Sequence, residues 1–279
     1  MSGKLIVVGT PIGNLSDFSP RAAEALADAD FIAAEDTRVT RKLLTHFGIH
    51  KPLVSYHEHN KRERGGVLCD RMAAGEVCAL VSDAGMPAIS DPGELLVAQC
   101  VERDIPVSVV PGPSAVVSAL AVSGLPTGRF TFEGFLSVNK KNRREHLESL
   151  KGETRTMVFY EAPHKLAATL ADLLGVFGDR RVALARELTK IHEEVVRTTL
   201  AQAVQRYADG SAKGEFVLIV EGAPESSPRA VSGQDAVALA KTYLAQGNSA
   251  AQAAKRAAAE TGRKKNELYR ELMNDGKTR

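Results

Sequence analysis

The sequence has few cysteines, no long apolar segment and no recognisable leader. Its three cysteines are Cys69, Cys78 and Cys100, an odd number without the paired spacing of a zinc site, and we expect them to be reduced core residues. No uncharged apolar stretch approaches the ~18 residues that span a bilayer. The N-terminus also does not have the pattern of a signal peptide. We therefore expect a cytoplasmic protein that does not enter a membrane.

Two common phosphate-binding motifs are also absent. The first predicted strand, residues 4–8, runs into the loop GTPIGNL at residues 9–15, which contains two glycines. Their spacing matches neither the GxGxxG of a dinucleotide fold nor the GxxxxGK[ST] of a phosphate loop. A dinucleotide cofactor or a nucleoside triphosphate is therefore disfavoured.

The positive charge of the chain is concentrated in two places. The net charge is +2, yet residues 241–279 carry nine Lys or Arg against four acids, and residues 139–146 carry four against one. Such clusters favour a polyanionic partner over a general contribution to solubility. The alternative for each cluster is a solvated helix face.

The length and composition favour two α/β domains and a helical module. With 279 residues, of which 44% are hydrophobic and 25% charged, the chain is too long for one small core. Alternating strands, loops and helices predict a doubly wound parallel sheet in residues 1–124. Short connections predict a second α/β domain with a mixed sheet in residues 125–224. A linker is predicted at residues 223–234, and residues 230–279 resemble a small helix-turn-helix module.

The stretch that is least typical of ordinary structure is VSDAGMPAISDPG at residues 81–93, between a buried strand and a helix. In an open α/β sheet, ligands bind beyond the carboxyl ends of the strands. Asp83 and Gly85 follow the strand end directly and are therefore ligand candidates. Asp91 is expected to cap the next helix instead.

Two further predicted strands end in polar residues. Asp36 could face the same crevice as Asp83 or cap the helix that follows it. His57 lies in YHEHN, residues 56–60, where no third metal ligand is near the two histidines, so we do not expect a metal. Substrate contact or proton transfer is the functional interpretation, and an exposed loop is the alternative.

Later candidates open a helix or end a strand. Ser114 and Ala115 begin a helix, so their amides would point into the cleft, where a helix N-terminus favours acceptor groups. Glu161, Arg186 and Glu187 lie at strand ends in the second half of the chain. They either face the first half or form an ion network between the two.

Nine motifs together resemble one known family, the bacterial ribosomal RNA small-subunit methyltransferase I family of the tetrapyrrole methylase superfamily. The resemblance covers nearly the whole chain in order, and the helical tail resembles the C-terminal module of that family. The motifs are GTPIGNL (9–15), EDTR (35–38), YHEHN (56–60), residues 81–93, PGPSA (111–115), FEGF (132–135), YEAPH (160–164), ARELTK (185–190) and KGE (213–215).

The resemblance implies methyl transfer from S-adenosylmethionine to the ribose 2′-oxygen of a cytidine in the decoding region of small-subunit (16S) ribosomal RNA. It also implies a homodimer whose subunits each hold the cofactor between two α/β domains. The substrate would be the RNA or the 30S particle.

Carried over by position, and with Gly85 added from its place after the strand, the expected cofactor contacts are Pro11, Val81, Ser82, Asp83, Gly85, Met86, Ser114, Ala115, Glu161 and Leu188. This sequence departs from the family pattern at three places. Met86 stands where threonine is more frequent, Ala162 where serine is frequent, and Thr198 where glycine is common. The first departure replaces one polar cofactor contact.

The expected chemistry needs positioning of the ribose and acceptance of its proton. The first candidates for the proton acceptor are Asp36 and His57, and Glu58 is the next choice. The alternative is that these residues only position the ribose. The RNA-binding candidates are six cations from the two basic clusters. They are Lys140, Lys141, Arg143, Arg144, Lys264 and Lys265.

Two other functions remain open at this point. Relatives in the superfamily methylate corrinoid precursors, although a small tetrapyrrole would not need either basic cluster. Alternatively, the chain is a helix-turn-helix nucleic-acid-binding protein whose larger part senses a small molecule. Methyl transfer to ribosomal RNA distinguishes the three, because a sensor binds without turnover.

Overall fold

The computed structural model describes residues 3–224 and 233–275. The chain divides into two compact units, Met1–Gly222 and Ala223–Arg279. The predicted boundary near residue 124 falls inside the first unit, between its two sheets. Residues 225–232 of the predicted linker, together with the predicted start of the helical module at residue 230, lie outside the described residues.

The first five strands form a parallel sheet in the order β3-β2-β4-β1-β5. The predicted doubly wound parallel sheet is therefore confirmed. The strands are β1 (Lys4–Val8), β2 (Phe31–Ala34), β3 (Leu53–Ser55), β4 (Val77–Val81) and β5 (Val107–Val110). The helices are α1 (Pro20–Asp28), α2 (Thr37–His46), α3 (Lys61–Ala73), α4 (Gly93–Glu102) and α5 (Ala115–Val122), with a 3₁₀ turn at Leu15–Asp17.

Helices pack on both faces of this sheet, and successive strand residues point to opposite faces, so both faces are buried. Leu5 on β1 packs with residues of α3 and α4, whereas its neighbour Ile6 packs with residues of α1 and α2. Cys69, Cys78 and Cys100 are buried free thiols, as predicted. Burial raises the pKa of the Cys78 thiol to about 12, so this group is a core residue and not a nucleophile.

The second sheet is mixed, as predicted, with the order β6-β7-β10-β8-β9. β6 pairs with β7 in parallel, and the remaining pairs are antiparallel. The strands are β6 (Phe130–Phe135), β7 (Thr156–Glu161), β8 (Arg181–Arg186), β9 (Glu194–Thr199) and β10 (Phe216–Val220). Its helices are α6 (Lys140–Ser149), α7 (Leu166–Phe177) and α8 (Leu200–Arg206), with a 3₁₀ turn at Pro163–Lys165.

Helix α5 joins the two sheets into one unit. It follows β5 of the first sheet, but Val116, Ala119 and Leu120 pack against Val158 and Ile219 on one face of the second sheet. The carboxyl ends of the first sheet and this face of the second therefore enclose a common cleft.

In residues 233–275 of the second unit the structure shows three helices, α9 (Gly233–Ala245), α10 (Ala250–Thr261) and α11 (Lys265–Asp275). The predicted capping box is present, because Ser249 and Gln252 bond reciprocally at the start of α10. Gly262 ends the helix in the left-handed conformation, with φ +69°. Within the described part of the chain, no helix is both long and apolar enough to cross a membrane.

Candidate active-site cleft

A cavity of about 560 Å³ lies within the first unit, between loops of the two sheets. Its volume falls in the range of roughly 300–1,000 Å³ that small-molecule sites occupy. The loops after β4 and β5 form one wall, and the ends of β7, β8 and β10 form the other.

The loops on the first wall approach each other so closely that two glycines are required. Thr10 and Gly85 exchange two backbone hydrogen bonds, of 2.9 and 3.1 Å. A Cβ on Gly9 or on Gly112 would lie within 2.8 Å of the other residue's backbone. The Gly112 amide also donates to the Met86 sulfur at 3.2 Å. Met86, at which a polar cofactor contact was expected to be lost, therefore contacts the neighbouring loop through its sulfur.

The cavity carries acidic side chains from two adjacent strand ends. Burial, reinforced by the neighbouring carboxylates of Asp83 and Asp91, raises the pKa of Glu35. Burial likewise raises the pKa of Asp83, whose Oδ1 accepts the Asp36 amide at 3.0 Å. It also raises that of Asp91, whose Oδ1 accepts the amides of Ala88 and Gly93. The charged forms of these carboxylates are costly here, so this wall favours a cationic ligand.

Backbone strain is concentrated in the loops at the cavity. Ala88 and Ser90 lie in the loop after β4 with φ of +67° and +61°, and Glu187 and Thr189 follow β8 with φ of +52° and +66°. Left-handed conformations cost a non-glycine residue about 1–3 kcal/mol and cluster at ligand-binding loops.

On the second wall, Glu161 is 3% exposed and both of its carboxylate oxygens are engaged. Oε1 accepts the Ala162 amide at 2.8 Å, and Oε2 accepts the Thr169 hydroxyl. That hydroxyl oxygen in turn accepts Arg143 Nη2 at 2.8 Å, while Arg143 Nε donates to Asp172 at 2.5 Å. Helix α6 is thus tied to the cavity wall through Arg143.

A lysine between two glutamates completes this wall. Lys190 Nζ lies 2.8 Å from Glu187 Oε1 and 3.2 Å from Glu215 Oε2. Burial opposes the charged lysine, but the two carboxylates outweigh it and raise its pKa. The Lys190 ion pair also holds the pKa of Glu187 below its usual range. All three residues lie in the second half of the chain, so this triad is not the ion network between the two halves that was one alternative for Glu187; Glu187 instead lines the cavity.

Eight of the ten expected cofactor residues line the cavity, and the structure brings them together from both sheets. They are Ser82, Asp83, Gly85, Met86, Ser114, Ala115, Glu161 and Leu188. Ser114 is the N-cap residue of α5 but makes no side-chain capping bond. Pro11 lies in the adjoining loop and Val81 in the core of the first sheet; neither lines the cavity.

Neither catalytic candidate lines the cavity, although the Asp36 amide donates to Asp83, which does. Asp36 caps α2 by accepting the Arg38 amide at 2.8 Å, and its ion pair with Arg38 lowers its pKa to about 2. The His57 amide donates to Asn60 Oδ1 at 2.8 Å, while its buried Nδ1 has no partner among the described residues.

The cations predicted to bind RNA divide into exposed and buried groups. Lys140, Lys141 and Arg144 are exposed on α6, and Lys264 and Lys265 are exposed at the start of α11 in the second unit. The Arg143 side chain, in contrast, is 12% exposed and belongs to the network on the cavity wall.

Several lining residues were not selected from the sequence. Asp91 was expected only to cap a helix, and Glu35 was not singled out, although its position directly after β2 could have selected it. Phe135, Tyr160 and Lys190 also line the cavity. Among the described residues, no cluster of three or more His, Cys, Asp or Glu could hold a metal ion.

Comparison with known proteins places these features in a family context. Residues 4–204 match the model of the tetrapyrrole (corrin/porphyrin) methylases. The chain is 48% identical to the ribosomal RNA small subunit methyltransferase I of Synechocystis sp., covering 98% of this chain and 100% of that protein. It is 46% identical to the protein of the same name from Pseudomonas aeruginosa, covering 99% of each.

Solved structures show the same fold at lower identity. The methyltransferase CobJ aligns with a TM-score of 0.60 and 22% identity, over 80% of this chain and 95% of that one. The uroporphyrin-III C-methyl transferase of Thermus thermophilus, complexed with S-adenyl homocysteine, aligns with a TM-score of 0.53 and 18% identity, over 78% and 92%.

Proposed function

The chain belongs to the ribosomal RNA small subunit methyltransferase I family of the tetrapyrrole (corrin/porphyrin) methylases, and we propose that it transfers a methyl group from S-adenosylmethionine to small-subunit ribosomal RNA. The observation that carries this proposal is the cavity between the two sheets, which has acidic side chains on one wall and is lined by the loops after β4 and β5.

The residues of the cavity fit this methyl donor chemically. S-adenosylmethionine supplies an electrophilic methyl group on a sulfonium whose thioether is a good leaving group. The acidic wall of Glu35, Asp83 and Asp91 complements the positive charges of such a ligand. Ser114 and Ala115, at the N-terminus of α5, present polar backbone groups to the cavity.

The acceptor we propose is the ribose 2′-oxygen of a cytidine in the decoding region, as the motif resemblance implies. The protein must hold this oxygen in line with the methyl carbon and exclude water, since positioning alone can lower a reaction barrier by about 7–11 kcal/mol. Asp36 and His57 are the proposed groups for orienting the hydroxyl and accepting its proton. With a pKa of about 2, Asp36 is ionised at neutral pH and is suited to accept a hydrogen bond from the ribose.

The exposed cations Lys140, Lys141 and Arg144 are proposed to contact RNA phosphates, together with Lys264 and Lys265 of the second unit. We also propose a cytoplasmic homodimer. Support for the dimer comes from Val107 and Val109 on the edge strand β5 and from Val117 on α5, which expose apolar surface.

Labelled S-adenosylmethionine tests the proposal directly. The full-length protein would be incubated with 30S particles, with free 16S RNA and, separately, with a tetrapyrrole precursor, and incorporation would be followed by nuclease mapping and mass spectrometry. We expect one 2′-O-methylcytidine in the small-subunit RNA. Label in the tetrapyrrole, in a nucleobase, or in none of the acceptors would contradict the proposal.

A further inference from the structure

Strand β6 contains a β-bulge that changes which face its last residue occupies. Phe132 pairs with Val158, but the next pair is Gly134 with Phe159, so Glu133 is left outside the register. Side chains alternate along a strand, and one inserted residue therefore moves every later side chain to the opposite face. As a result Phe135 shares a face with Phe132.

That face is the one directed at the cleft. Phe135 lines the cavity and is 59% exposed. Its ring lies 5.4 Å from the ring of Tyr160, centroid to centroid, and the Tyr160 ring lies 5.1 Å from that of Phe132. These separations are typical of packed aromatic pairs. Phe132, Tyr160 and Phe135 therefore pack as three consecutive aromatic rings, and Phe135 is the exposed one at the end.

A side-chain hydrogen bond and a glycine with positive φ accompany the bulge. The bulged residue Glu133 turns away from the cleft and accepts His146 Nε2 of α6 at 3.0 Å. Gly134 adopts φ +62°, and a Cβ there would approach Ser90 Oγ to 3.4 Å. Fold stability alone does not require an aromatic residue at this position, because 59% of Phe135 is exposed.

The chain continues from Phe135 into the basic helix. Four residues separate it from Lys140 at the start of α6, which exposes Lys140, Lys141 and Arg144. A nucleotide at the cavity mouth would thus meet an aromatic face for its base near cations for its phosphates. This is the combination by which proteins bind single-stranded nucleic acid.

We propose that Phe135 stacks on a nucleobase of the RNA substrate at the mouth of the cavity, and so positions the acceptor nucleotide. The inference rests on the proposed function, because it assigns a role toward the RNA and none toward the methyl donor.

The test compares Phe135→Ala, Phe135→Leu and Phe135→Trp in the full-length protein. Methyl transfer to 30S particles gives kcat and KM, and calorimetry gives the Kd for S-adenosylmethionine. Alanine and leucine should lower kcat/KM by about 5- to 150-fold, the effect of losing one base–aromatic stack. Tryptophan should keep most of the activity, since it offers a larger stacking face. The Kd for the methyl donor should be unchanged in all three.

Phe130→Ala is the matched control. Phe130 lies at the other end of β6, is 39% exposed and does not line the cavity, so its loss should leave kcat/KM unchanged. Full activity of Phe135→Leu would overturn the proposal, because leucine fills space without stacking. A parallel rise in the Kd for the methyl donor, or a change of oligomeric state in light scattering, would also overturn it. Failure of the unsubstituted protein to methylate RNA would instead contradict the proposed function.

Discussion

Replacing Gly112 with alanine would place a methyl group where the backbone of Gly9 already lies. The added Cβ would sit 2.8 Å from Gly9 Cα, 2.9 Å from its carbonyl carbon and 3.0 Å from its oxygen. Backbone atoms cannot rotate away, so the loops after β1 and β5 must separate. Overpacking of this kind costs about 1–3 kcal/mol. At about 2–4 °C per kcal/mol for a large domain, the melting temperature should fall by roughly 2–12 °C.

The separation should also weaken binding of the methyl donor, because these loops carry one wall of the cavity. The Gly112 amide donates a hydrogen bond to the Met86 sulfur, and the lining residues Ser114 and Ala115 follow two and three residues after Gly112. We expect the Kd for S-adenosylmethionine to rise at least tenfold by calorimetry, since displacement by a few tenths of an ångström misplaces several contacts together.

Gly128→Ala is the control for this substitution. A Cβ at Gly128 would meet nothing within 4 Å, so the change should be neutral or stabilise by up to about 1 kcal/mol through the unfolded state. Gly9→Ala should resemble Gly112→Ala, and the double variant should lose less than the sum, because both changes open one contact. Equal melting and binding for the variants at 112 and 128 would refute the argument.

Three other predictions concern the cleft and the tail. Asp36→Asn, which keeps the helix cap, and His57→Ala should each lower kcat while the Kd for the methyl donor is largely kept. For the residue that acts as the base, kcat should fall by about 10²- to 10⁴-fold. Unchanged turnover in both variants would remove the assignments. Titration calorimetry from pH 8 down through the carboxyl range to about pH 4 should show donor affinity falling as pH falls. Burial raises the pKa of Glu35 and of Asp83, so both carboxylates take up protons at a higher pH than ordinary carboxylates and lose the charge that attracts a cation. The stability of the ligand-free protein should change in the opposite direction, because carboxyl groups with raised pKa values in the folded state stabilise it less as pH rises through those values. A donor affinity that does not change with pH would exclude these carboxylates from the site. Deleting residues 230–279 should weaken RNA binding in a filter assay more than donor binding, and equal RNA affinity would contradict a role for the tail.

The sequence was most informative where parallel strands end. Buried parallel strands are continuous apolar runs, so the first polar or glycine residue after each one is conspicuous, and such residues meet at one edge of the sheet. Asp83 and Gly85 could be selected in this way, Ser114 and Ala115 could be selected because they begin the helix after β5, and all four line the cavity. Asp36 satisfied the same rule but lies beside the cavity, because its carboxylate turns back to cap α2.

The charge pattern predicted cations without revealing their partners. Arg143 is one of four basic residues in the first cluster, and nothing in the local pattern distinguishes it from Arg144. Helical geometry places Arg143 over α7, where it bonds to Thr169 and Asp172, while Arg144 is exposed. Partners that are distant in sequence decided this difference.

By itself the sequence determined that the first sheet is parallel and the second mixed, that the three cysteines are buried, and which residues follow the strand ends of the first sheet, because each follows from local hydrophobic patterning and connection length. Only the tertiary structure decided that α5 packs on the second sheet and that a bulge turns Phe135 toward the cleft. The physical reason is that the register of a strand is set by its partner, and the pairing of β6 with β7 brings together residues more than twenty positions apart.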